Sequence, residues 1–200
     1  MRHLSQGIAA LVVVLLALAA AGCNKGPAEA ALKAAERSLE TAKPEIEKYT
    51  PAELTSLVTS VQEARARFDQ GQYTDALKAA QELPAKIQAA LAAATEKKTE
   101  LVASWTEISG SLPKMVEALT TRVNDLAGMK KLPAGMDQAG VQTAKGELGV
   151  ITQAWTAAAD AFQGGDIPRA VSTAQGIKAK AEGLAAMLGV DLKAAAAPVM

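Results

Sequence analysis

The chain has 200 residues, with 21 Lys+Arg against 21 Asp+Glu, one His, one Cys and six aromatic residues, and about 45 of its positions are alanine. Balanced charge provides no single-sign field to draw the chain onto nucleic acid, and abundant alanine beside few β-branched residues excludes a sandwich or barrel. The length allows one helical domain or two small similar ones.

The chain opens with Arg2 and His3, then an apolar run from Ile8 to Ala21. About 14 residues at 1.5 Å rise cover roughly 21 Å, short of a bilayer core of roughly 30 Å, which fits the apolar core of a secretory leader. Ala20-Ala21-Gly22-Cys23 follows and resembles the lipobox of bacterial lipoproteins, with Ala20 where that family usually carries Leu. The resemblance implies cleavage between Gly22 and Cys23, a thioether-linked diacylglycerol on Cys23, and acylation of the new amino group. The residues alone also allow a free or buried cysteine after an ordinary signal peptide. Several acyl chains on one residue make a stable membrane anchor, whereas one alone holds weakly. Asn24 stands where inner-membrane retention in enterobacteria favours Asp, which directs the expectation to the outer membrane, facing the periplasm.

The expected fold is all-α: an elongated antiparallel helical bundle of about six helices built from two similar helical hairpins. Its expected organisation is a signal peptide over 1–22, a lipidated tether over 23–27, helical units over 28–110 and 111–190, and a flexible tail over 191–200. Leu32, Ala35, Leu39, Ala42, Ile46 and Tyr49 predict a first helix over about 28–48, bent at Pro44. In Thr50-Pro51-Ala52-Glu53, threonine suits an N-cap, proline the first helical position, and Glu53 a capping box.

An internal match then dominates the chain. Glu53, Leu54, Ala64, Phe68, Gly71 and Ala76 recur 94 residues later as Glu147, Leu148, Ala158, Phe162, Gly165 and Ala170, predicting two hairpins over about 51–94 and 145–188. Leu54, Leu57, Val61, Ala64 and Phe68 lie along one helical stripe, as do Leu148, Ile151, Trp155, Ala158 and Phe162. Gly71 and Gly165 end the first arms. Pro84 is expected to kink or break the second arm of the first hairpin. The helix there is expected to end at Gly110, with a fourth helix over about 112–127 starting near Ser111 and Pro113, then a loop over 129–136. Glycines 140, 146 and 149 obscure where the next helix begins.

The hairpin residues carry two further resemblances. Gly71-Gln72-Tyr73-Thr74-Asp75-Ala76 is similar to a step of tetratricopeptide proteins, whose 34-residue period is missing. With Tyr49-Thr50-Pro51-Ala52-Glu53-Leu54 it resembles more closely a family of uncharacterised alanine-rich helical-hairpin domains in envelope lipoproteins. That likeness implies a fold and an address, with no known chemistry.

Cleavage after Gly22 leaves no histidine, and lipidation of Cys23 leaves no thiol, which removes histidine-based triads, Cys-His pairs and the usual zinc and copper sets. No nucleophile or phosphate motif sits in a suitable context, so no catalytic residue, cofactor or metal is expected. Phe68 and Phe162 are expected in the core. Trp105 and Trp155 are the candidate partner contacts, with helix packing as the competing role. Met115, Met129, Met136 and Met187 are better read as gap filling and loop than as a copper site. The expected role is a non-enzymatic interaction or scaffold module with an envelope protein partner. The alternative is a carrier for a small hydrophobic or lipidic ligand between helices, which requires a cavity.

Overall fold

The computed structural model describes residues 24–192, which are all-helical, with no strand. Five helices occur in order: α1 (Lys25–Tyr49), α2 (Pro51–Asp69), α3 (Tyr73–Gly128), α4 (Gln138–Gln163) and α5 (Ile167–Leu188). The leader, Gly22, Cys23 and the residues from Lys193 onward lie outside the described residues. The chain divides into two compact units between Lys97 and Lys98, within α3.

The first unit holds α1, α2 and the start of α3. In α1, Ala28, Leu32, Ala35, Leu39, Ala42 and Ile46 are buried at alternating steps of four and three, a single stripe facing the core. Pro44 lies inside this helix on its exposed side. The passage from α1 to α2 takes one residue, Thr50, and it corrects the expected capping box. The Thr50 side chain makes no cap to α2; its hydroxyl instead donates to the carbonyl of Ile46 at 3.4 Å. With a single residue between two helices, Thr50 must serve the end of one and the start of the other, and its hydroxyl goes to the end. Pro51 does occupy the first turn of α2.

The count of six helices is corrected by α3. The two helices expected on either side of Gly110 are one, running through Pro84, Gly110 and Pro113. All three residues lie on the exposed face, where no neighbouring helix meets a proline ring and solvent can serve a carbonyl that lacks its amide partner. Ser111, expected to start a helix, instead turns its hydroxyl back to the carbonyls of Glu107 and Ile108 at 3.1 and 3.3 Å. Magnitudes explain the continuity. An interior glycine costs about 1 kcal/mol and a proline about 3. Ile108, Leu112 and Met115 are all buried around the break point, each contributing about 1.5–3 kcal/mol. A break would dismantle that stripe.

The second unit holds the remainder of α3 with α4 and α5. Asp137 caps α4, its carboxylate accepting from the Gly140 amide at 2.7 Å. That cap sets the start of the helix, which runs on through Gly146 and Gly149. Arg122 on α3 donates to the carbonyl of Leu188, the last residue of α5, at 3.1 Å, placing a cation at that helix C-terminus.

Both hairpin turns use one hydrogen-bond pattern. At the first, Gly71 has φ 78°, its amide donates to Phe68 O at 2.9 Å and the Gln72 amide to Arg67 O at 2.9 Å. At the second, Gly165 has φ 79°, its amide donates to Phe162 O at 3.0 Å and the Asp166 amide to Ala161 O at 2.8 Å. These are the two bonds of a Schellman cap, and the positive φ they need is open to glycine without a Cβ penalty. Helices joined so tightly run antiparallel.

The cores differ. The first unit has two clusters, one around Ile46, Leu57 and Ile87 and one around Leu32, Ala64 and Leu83, with partly buried Val61 touching both. The second has one continuous cluster from Trp105 through Leu126, Val141, Ile151 and Val171 to Leu188. No described polar or charged residue is buried in either unit.

Candidate functional site

The two tryptophans singled out from sequence come together inside the second unit. Trp105 is only 9% exposed and stacks on Phe162, with centroids 4.5 Å apart and rings 7° from parallel. Trp155, half-buried, stacks on Trp105 at 5.3 Å and 13°. Trp105 is therefore packed against aromatic rings on both partners' sides, and its area is spent inside the unit; Trp155 keeps one part at the surface. In the first unit the aromatics are arranged otherwise. Phe68 meets Tyr73 edge-to-face at 5.2 Å, and Arg65 and Lys25 lie over Phe68 and Tyr73 at 6.0 and 5.9 Å.

The feature that sequence reading missed is a groove between α4 and α5. It has a volume of about 770 Å³ and is open to solvent rather than enclosed. Buried Ile151 and Leu184 form its floor, and Val150 and Met187 rise beside them. These two side chains, 54% and 46% exposed, are the most exposed large hydrophobics of the described residues. Gly146 and Gly183 line the groove as gaps, and a Cβ built on either would meet nothing within 4 Å. A smaller groove of about 190 Å³, lined by Ala154, Gly176 and Ile177, shares Val150, Ile151 and Lys180 with the first and prolongs it. Two ionisable groups line the larger groove, Glu147 and Lys180, both exposed and neither engaged in an ion pair or side-chain hydrogen bond among the described residues.

The first unit's counterpart of the smaller groove has the opposite character. There α2 and α3 enclose a groove of about 580 Å³ lined by Glu63, Arg67, Asp75, Lys78, Glu82 and Lys86. Ninety-four residues on, the first five positions read Ala157, Ala161, Arg169, Ser172 and Gly176. Conversely Ser56 and Ala93 stand where the second unit has Val150 and Met187. The charged face is a solvated one, with Lys86 and Glu82 paired at 3.6 Å. The other exposes apolar side chains next to one another, Val150 and Met187 among them. Its one trace in the sequence is an apolar residue at 150 and at 187 out of step with the buried stripe, which does not by itself show that either stays uncovered.

No group of three or more His, Cys, Asp or Glu side chains is placed to hold a metal ion among the described residues. No described helix is long and apolar enough to cross a membrane. The hydrogen bond from Lys33 at 2.7 Å, then the Lys33 charge, holds the Glu29 carboxyl on α1 below the usual carboxylate range.

No protein-family model, curated protein or solved structure matches the chain.

Proposed function

We propose that this chain is a lipid-anchored envelope lipoprotein, tethered through Cys23 to a membrane facing the periplasm, that acts as a non-enzymatic interaction module through the α4–α5 groove. The address rests on Ala20-Ala21-Gly22-Cys23 and the apolar run before it. The interaction reading is carried by one observation: the two most exposed large hydrophobics sit together along an open groove above an otherwise filled core. A ligand pocket encloses 70–90% of a small molecule's surface, and this groove covers one side only, which favours docking over carriage. Two similar hairpins are the architectural reading, supported by the matched Schellman bonds at Gly71 and Gly165.

Two experiments test this. Cys23→Ala should move the chain from the membrane fraction to the soluble periplasm, and its persistence in the membrane would overturn the anchor. Val150→Glu should abolish crosslinks formed through the second unit in cells while leaving the helical circular dichroism signal intact. Unchanged crosslinking would refute the groove as the docking surface.

A further inference from the structure

We infer that the occupant of the α4–α5 groove is a second copy of this chain, docked about a two-fold axis. The inference rests on the groove being a docking surface, as proposed above, and adds the identity of what covers it.

In a two-fold contact the same patch faces itself, so every projection must find a recess and every charge an opposite within that patch. The groove meets both conditions. Val150 and Met187 project, and Gly146 and Gly183 leave gaps on the same two helices. Small residues at such gaps let helices approach closely, and a large residue on the facing helix fills the space. Glu147 on α4 and Lys180 on α5 supply one charge of each sign, and neither has a partner among the described residues. With the two-fold axis parallel to the helices, α4 faces α5 of the second copy, which brings each Glu147 to the helix that carries Lys180, twice over.

Other occupants fit less well. An acidic or a basic partner gains one attraction and one repulsion from a patch that carries both signs. A partner must instead offer an anion and a cation at matched spacing beside an apolar strip. With the axis along the helices, the rotated patch offers an anion, a cation and an apolar strip to itself. The result is a four-helix contact made from two α4–α5 hairpins, a packing antiparallel hairpins readily adopt.

The test uses the full-length chain in neutral detergent, with chain stoichiometry read by native mass spectrometry. Wild type should show dimers with a dissociation constant on the order of micromolar. Glu147→Lys and Lys180→Glu each create two like-charge contacts across the axis, and each should weaken the dimer by about tenfold. Combining them reverses both signs and should bring the dimer back to within about threefold of wild type. Both side chains are exposed, so all three variants should keep wild-type helicity and melting. Wild type that stays monomeric at about 100 µM, or a double variant as weak as the singles, overturns the dimer. A photo-crosslinker at Val150 in cells separates this failure from that of the docking reading. Capture of the chain itself supports the proposal; capture of a different protein overturns the second copy and leaves the docking surface standing; capture of no protein overturns both.

Discussion

The two halves of this chain solve one packing problem with different residues. In the first unit, alanine-rich stripes form two clusters, Phe68 and Tyr73 are partly exposed under cations, and the hairpin groove is charged. In the second, buried Trp105 stacks with the partly buried Trp155 and Phe162 against one continuous core, and the counterpart of the charged groove is apolar. The turns that hold the hairpins are the same to the level of individual hydrogen bonds. The difference teaches that the turn and the buried stripe specify a hairpin, while the outward positions are free to change character. A charged face and an apolar face differ by only a handful of exchanged side chains.

Substitutions can break or sharpen that contrast. The largest effect is expected from Trp105→Ala, which removes the centre of the aromatic stack and should destabilise the second unit by about 3–5 kcal/mol. Hydrogen exchange resolved by unit would check it, and a loss confined to residues before Lys97 would contradict the assignment of that stack. Next comes Leu83→Ala in the smaller of the first unit's clusters, at about 2–4 kcal/mol by chemical denaturation. Its neighbours include Ala35, Ala64 and Ala80, small side chains with little reach to fill the cavity.

Gly71→Ala and Gly165→Ala probe the shared turn. No atom lies within 4 Å of a Cβ at either, so backbone conformation alone sets the cost, about 1–2 kcal/mol at both. Clearly unequal melting shifts would show that the two turns are not energetically equivalent. Gly110→Ala should have the opposite sign. The position is exposed, helical and open around its Cβ, and alanine should stabilise the chain by about 0.5–1 kcal/mol; a fall in melting temperature would contradict an unbroken α3.

The smallest effect concerns acid. The Glu29 carboxyl is held below its ordinary range by Lys33, so the pair's contribution is present above the unfolded-state carboxylate value and fades as pH falls through the lowered native one. Lys33→Gln should raise the Glu29 midpoint in an NMR titration. A midpoint unmoved by the substitution would show that the pair does not persist in solution.

Much of this architecture is legible in the sequence because its causes are local. Glycine at 71 and 165 must follow from a turn that needs positive φ, and the stripe from Leu54 to Ala64 follows from helical period. The continuity of α3 is not local. Gly110 and Pro113 are sound stop signals, overridden by burial of Ile108, Leu112 and Met115 that only the assembled unit reveals. The tryptophans were legible as large and unusual, but their stacking joins positions 50 residues apart on different helices. The groove was hidden for a related reason. Val150 and Met187 read as ordinary apolar residues until the helices are placed and these two are found uncovered. Cys23 and Gly22 carry their reading in the sequence alone and lie outside the described residues.

The short Schellman turns also govern how fast the units form. Each hairpin closes over a few residues, and closure entropy grows only as the logarithm of loop length. The faces that meet across Gly71 or Gly165 are therefore neighbours along the chain before they are neighbours in space, and topologies of this kind fold in microseconds to milliseconds. A chain with that wiring spends little time with its alanine-rich stripes uncovered.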